Sequence, residues 1–143
     1  MSTNIEIIIR AFITYQGKVL FNHSPGTPPK FYYLPGGHLE KGESIEECLR
    51  REFKEEMGAS VKSMKFLEVF ENFYKDKIGD HHEINLLYQV QLSDADLFSL
   101  KSQESHIKIA WLPVESLKGI NLLPEIIAKY CRVNYDKINR SLK

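Results

Sequence analysis

Charge of one sign is the first thing this 143-residue chain lacks: 19 lysines and arginines are matched by 19 aspartates and glutamates, for a formal net charge of +0. That balance excludes a general nucleic-acid binder, which needs a basic excess to displace counterions from phosphates. A small polyanion is still compatible, because a bound cation can supply the positive charge that the composition does not. Cysteine is scarce as well. Cys48 and Cys131 stand far apart without metal-ligand spacing, which reads as two reduced, buried thiols in a reducing compartment. No apolar run approaches the roughly 18 residues of a membrane span. The opening MSTNIEIIIRAFITYQ has neither a basic region ahead of a long apolar stretch nor a small-residue cleavage site. Repeats, low-complexity tracts and linkers are missing too. These absences predict one domain spanning 1–143, cytoplasmic, with no membrane and no nucleic-acid partner, acting as a monomer or homodimer.

What is present is patterned. Residues 5–15 and 18–22 are rich in β-branched and aromatic side chains, and Gln16-Gly17 between them predicts a hairpin turn. Ser24 to Lys30 (SPGTPPK) is a loop on proline and glycine grounds, and Phe31 to Leu34 is a short aromatic stretch ended by Pro35-Gly36-Gly37. Ser44 and Glu47 form a capping-box pattern and Gly58 a C-terminal stop, so a helix is predicted over 44–57. Two longer strands, 61–74 and 82–92, meet across KDKIGD. In the second, Ile84, Leu86, Tyr88 and Val90 alternate with Glu83, Asn85, Leu87 and Gln89, which predicts a sheet with one drier face. A strand at 107–112 and a helix at 124–132, with Pro124 near its first turn, complete the pattern. Strands outnumber helices, and a mixed sheet with helices packed against it is the expected architecture.

The helix from Ser44 carries the main functional clue. Ile45, Cys48, Leu49, Phe53 and Met57 define its buried stripe. At about 100° per residue, Glu52 and Glu56 fall on that same side, with Glu55 at its edge. Carboxylates brought together near an interior repel one another and lose hydration, and the remedies are a shared proton or a cation. Hard oxygen donors on successive turns suit magnesium or manganese, with waters and phosphates completing the shell. A solvated acidic helix end, tied by Glu47–Arg51 and Arg51–Glu55 ion pairs, is the alternative.

From Gly37 to Ala59 the sequence reads GHLEKGESIEECLRREFKEEMGA. This resembles the signature of the Nudix hydrolases, of MutT-like type, with Gly37, Glu43, Arg51, Glu52, Phe53, Glu55, Glu56, Gly58 and Ala59 in register. Phe53 and Ala59 depart from the bulky aliphatic residues usual at their places. Leu34-Pro35-Gly36-Gly37 and Trp111-Leu112-Pro113 are also similar to the family. The resemblance implies an α/β/α sandwich with a mixed central sheet and a loop-helix-loop catalytic element. It implies water attack on one phosphorus of a nucleoside diphosphate linked to another group, with Mg2+ or Mn2+ as cofactor. By the same resemblance Glu52, Glu55 and Glu56 are metal ligands, assisted by the Gly36 carbonyl, while Arg51 and Glu43 pair to hold helix and loop. Glu52 is the first choice for general base, as in some relatives, and Glu104, in the polar segment SLKSQESHIK, is the second.

Phe31, Tyr33, Tyr74 and the backbone at Gly37 are the candidate substrate contacts, with alternate aromatic side chains offering a base to stack on. His81 and His82 are adjacent on a strand and point to opposite faces, so they do not share an ion. Tyr74 stands near the place where ADP-ribose hydrolases of this family carry proline, and the arrays typical of NADH- and coenzyme-A-cleaving relatives are missing. By elimination a nucleoside triphosphate, intact or damaged, is the leading small-molecule substrate. An ADP-ribose or other nucleotide-sugar pyrophosphatase and a nucleotide-sensing module without catalysis are the alternatives.

Overall fold

The computed structural model describes residues 4–94, 100 and 108–141. Side-chain alternation in β1 (Ile5–Phe12) decides its layering. Ile9 and Ala11 pack into one core with the buried stripe of α1 (Ile45–Met57), while Phe12 packs into another with Ile127, Ala128 and Cys131 of α2 (Glu125–Val133). A strand covered on both faces belongs inside a sheet flanked by helices. Its sheet runs in the order β5 (Gly36–His38), β1, β7 (Asp80–Leu92), β6 (Val61–Lys75). β1 and β7 pair in parallel, and the outer two pairings are antiparallel. The mixed sheet and its α/β/α layering follow the expectation.

A second sheet places β2 (Thr14–Tyr15), β3 (Lys18–His23), β4 (Tyr32–Tyr33) and β9 (Leu122–Leu123) side by side, with β8 (Lys108–Pro113) also on β3. A 3-10 turn at Val114–Lys118 and a short α3 (Tyr135–Ser141) were not foreseen. The two cysteines lie in the two different cores, and burial pushes each thiol up to about 12. They are protonated, inert packing groups. Among the described residues no helix is long and apolar enough to cross a membrane.

α1 forms for the reasons its sequence announces. Ser44 accepts from the Glu47 N–H at 3.1 Å while Glu47 accepts from the Ser44 N–H at 3.1 Å, closing the capping box. At the other end Gly58 takes a left-handed φ of 64° and donates to the Lys54 carbonyl at 3.0 Å.

Four expectations change. The strand predicted over 5–15 divides at Ile13 into β1 and β2, and Gln16 and Gly17 make the turn with φ of 51° and 76°. Gly36 and Gly37, read as the end of a strand, form β5 against β1. Pro124 caps α2 from outside its first turn. The fourth bears on function. β7 has no single dry face: Leu86, Tyr88 and Val90 pack toward α1, yet Glu83 and Asn85, on the opposite face with Leu87, are 5% and 0% exposed. Polar residues there signal solvent until the hydrogen-bond partners described below are considered.

Phe53 is 1% exposed and anchors the α1 core. Phe53→Ala is expected to cost about 3–5 kcal/mol, read as a lowered midpoint in chemical denaturation.

Candidate active site

Arg51 fastens the loop between β5 and α1 to the helix. Arg51 donates from Nε to Glu43 Oε2 at 2.6 Å and from Nη2 to Glu43 Oε1 at 3.0 Å, a bidentate fork. The same guanidinium reaches Glu52 Oε1 at 2.9 Å, Glu55 Oε2 at 3.5 Å and the His38 carbonyl at 3.2 Å. Hydrogen bonding from Arg51 holds the Glu43 carboxyl down to about 2, and the Glu43 bonds in turn raise the Arg51 guanidinium. Arg51 is therefore committed to Glu43, not to the Glu47 pairing of the solvated-helix alternative; Glu47 is spent in the capping box.

The three helix glutamates do not share one environment. Glu52 has a side chain 14% exposed and Glu56 is buried, one turn further along the same face, whereas the Glu55 side chain is 54% exposed and drawn outward by Arg51. Among the described residues, no three acidic, histidine or cysteine side chains are gathered into a closed coordination set. The donor chemistry still fits a hard cation, since magnesium is commonly held by one or two carboxylates and fills its shell with waters and substrate phosphates. An orphaned oxygen adds to this. Asn22 is 2% exposed and stands in register with Tyr33, and its Oδ1 has no hydrogen-bond partner among the described residues; the Tyr33 phenol is acted on by the charge of Glu56.

Gly36 and Gly37 have different jobs. Gly36 has a φ of 147°, and a β-carbon there would overlap the Ile9 carbonyl of the paired strand. At Gly37 the added carbon would instead overlap the carboxylate of Glu52. One glycine serves the sheet; the other makes room for an acid.

Within reach of the charge of Glu56 lies a cleft of about 440 Å³. Phe31 and Tyr33 enter it together, their rings 6.2 Å apart, while Tyr32 between them turns into the core against Phe21. Phe73 and Tyr74 at the far end of β6 complete its aromatic lining. The sequence expectation for Phe31, Tyr33 and Tyr74 thus places them together. Its floor was missed. Arg10 donates from Nε to Asn85 Oδ1 at 3.3 Å and from Nη1 to the Leu34 carbonyl at 3.2 Å, with its guanidinium 6.0 Å over the Tyr33 ring. Glu83 Oε1 accepts from Asn72 at 3.0 Å and Asn85 at 3.3 Å. Burial pulls Arg10 below its ordinary value, opposed first by the charge of Glu83 and also by that of Glu56. The signal was available: a lone arginine inside IEIIIRAF, and two polar residues in register on β7. His81 and His82 part as expected, to Asp76 and Glu71, each at 2.9 Å. Glu104 lies outside the described residues.

The family model for the NUDIX domain matches residues 7–130. Among curated relatives, the NAD-capped RNA hydrolase NudC of Chromobacterium violaceum is 27% identical over 122 residues, taking in 85% of this chain but only 43% of that protein. The nucleoside triphosphatase NudI of an Enterobacter species is 32% identical over 103 residues, covering 68% of this chain and 72% of the relative. Among solved structures, the mutator MutT protein from Bacillus halodurans superposes with a TM-score of 0.69 at 21% identity, over 87% of this chain and 80% of that one. At that identity the likeness shows the fold.

A pair of glycine variants and one glutamate variant test this geometry. Gly36→Ala, against backbone and at a positive φ, is expected to destabilise by at least about 1–3 kcal/mol. Gly37→Ala meets only the movable end of Glu52, so its melting temperature stays near that of the unmodified chain while turnover falls on the order of a hundredfold. Because the Glu43 carboxyl is lowered from 4.5 to about 2, its contribution is complete above pH 4.5 and is lost as the pH falls toward 2. Glu43→Gln should flatten the acid dependence of stability across that window, measured by denaturation at stepped pH.

Proposed function

The chain belongs to the Nudix hydrolase family, and from that membership we propose that it cleaves the diphosphate linkage of a nucleoside diphosphate derivative by water attack at phosphorus. A nucleoside triphosphate, intact or damaged, is the leading substrate. The observation that carries the reading is the pair of inward carboxylates on one face of α1: Glu52, held by the Arg51 clamp, and Glu56, whose charge reaches Arg10 and Tyr33 of the aromatic cleft. The name of the Enterobacter relative, a nucleoside triphosphatase, supports the choice of substrate.

Each residue has a task derived from its position. Glu52 and Glu56 offer hard oxygens on one face, with Glu55 at the rim for a donor that swings in, and together they would hold magnesium or manganese. Such a cation, when bound, neutralises phosphate oxygens and makes a bound water more acidic. Glu52 is assigned as the base. Arg51 engages its Oε1, while Oε2 makes no hydrogen bond to a described residue and can accept a proton. Arg51 fixes the angle of that carboxylate through the Glu43 fork. Gly37 leaves the space that the carboxylate fills. The nucleoside end lies against Phe31, Tyr33 and Tyr74, whose faces favour a planar ring.

The test incubates the purified chain with nucleoside triphosphates, ADP-ribose and other diphosphate compounds plus magnesium, with and without chelator. Chelator-sensitive cleavage is expected, and Glu52→Gln and Glu56→Gln should each reduce turnover at least about a hundredfold with the fold intact. Ligand-dependent thermal shifts with no product from any compound would favour a sensor and end the hydrolase reading.

A further inference from the structure

The floor of the cleft holds two opposite charges that leave each other alone. Arg10 and Glu83 both line it, and the charge of Glu83 acts on Arg10, yet no ion pair within 4.0 Å joins them. Each is instead held from the side by amides. Asn85 takes the Arg10 Nε and donates to Glu83, and Asn72 donates to the same Glu83 oxygen. This leaves Arg10 Nη2 and Glu83 Oε2 without a hydrogen bond to any described residue, and neither is a sealed orphan, since Asn22 Oδ1 is the one such buried atom among the described residues. The remaining charged residue of the lining, Glu125, is occupied by Arg132 at 2.8 Å. A half-buried guanidinium beside a buried carboxylate normally closes on it to recover lost hydration. Here the two asparagines brace them apart, with one donor edge and one acceptor facing the same space.

We propose that Arg10 and Glu83 are specificity-determining residues that read the edge of an oxopurine base, Arg10 donating to the ring carbonyl and Glu83 accepting from the adjacent ring N–H. The assignment rests on the reading of the cleft as a nucleotide site. Arginine favours carbonyl and ring-nitrogen acceptors, and a carboxylate accepts an N–H but repels a lone pair. Guanine and hypoxanthine present a carbonyl beside an N–H. Adenine presents an amino group beside a bare nitrogen, the reverse order. The flanking rings of Phe31, Tyr33, Phe73 and Tyr74 give either base a stacking surface, so they supply affinity without choosing, and the polar floor chooses.

The experiment measures binding to the metal-free chain by calorimetry, with guanosine, inosine, adenosine and 2-aminopurine riboside 5′-monophosphates as probes. The guanosine and inosine compounds are expected to bind at least about tenfold more tightly than the other two. Glu83→Gln and Arg10→Lys should each bring that ratio to within about threefold. Equal affinity for all four bases, or an unchanged ratio in folded variants, would overturn the proposal. The four probes on the unmodified chain decide it alone if the variants do not fold. In parallel, kcat/KM for GTP and ATP is measured with magnesium. Cleavage of both at equal kcat/KM would sink the base-reading pair and leave the hydrolase standing. Selective binding without chelator-sensitive cleavage would sink the hydrolase and leave the pair.

Discussion

Arg51 is the constraint on which the site depends. Its guanidinium is shared among a loop carboxylate, two helix carboxylates and a strand-end carbonyl, and no lysine could satisfy these at once because the fork is planar. The loop leaving β5 is tied to the middle of α1 through this group. Glu52 is thereby aimed at Gly37, and the glycine is needed because the carboxylate arrives there. Loop, helix and acid form a chain of dependence that starts from a single positive charge.

A second set of charges is built into the sheet itself. β7 is covered on both faces, and where it leaves the core of Leu87 its buried positions become Asn85 and Glu83. Burying such groups is tolerable only when their hydrogen-bonding capacity is met, and Asn72, Asn85 and the Leu34 carbonyl meet part of it. The net charge of zero is thus not a sign of electrical blandness. Opposite charges are paired or braced locally, at Arg51 with Glu43 and at Arg10 with Glu83.

The two charged centres adjoin. Glu56 acts electrostatically on both Tyr33 and Arg10, so the carboxylate end of α1 lies within charge-charge reach of the aromatic cleft. On the proposed function this divides labour along a nucleotide: helix carboxylates toward the phosphates, the ring-walled cleft toward the base. The tyrosine at the junction takes the consequence, its phenol raised by burial and by the charge of Glu56.

Local signals were sufficient for α1, because a capping box, a stop glycine and a 3.6-residue stripe are all encoded within one segment. The Gly37–Ala59 signature likewise named Glu43, Arg51, Glu52, Glu55 and Glu56 before any coordinates. The division among those glutamates was legible in outline, since the helical period sets Glu52 and Glu56 on the buried side and Glu55 at its edge; that Arg51 engages Glu52 and Glu55 together with a loop carboxylate was decided by the tertiary structure. The cleft floor was not legible. Arg10, Asn72, Glu83 and Asn85 come from three strands, and what made them a site is the parallel pairing of β1 with β7 and the antiparallel pairing of β7 with β6. A sequence sets which residues alternate along a strand; which polar residue meets which across strands is set by register, and register is decided by the tertiary structure.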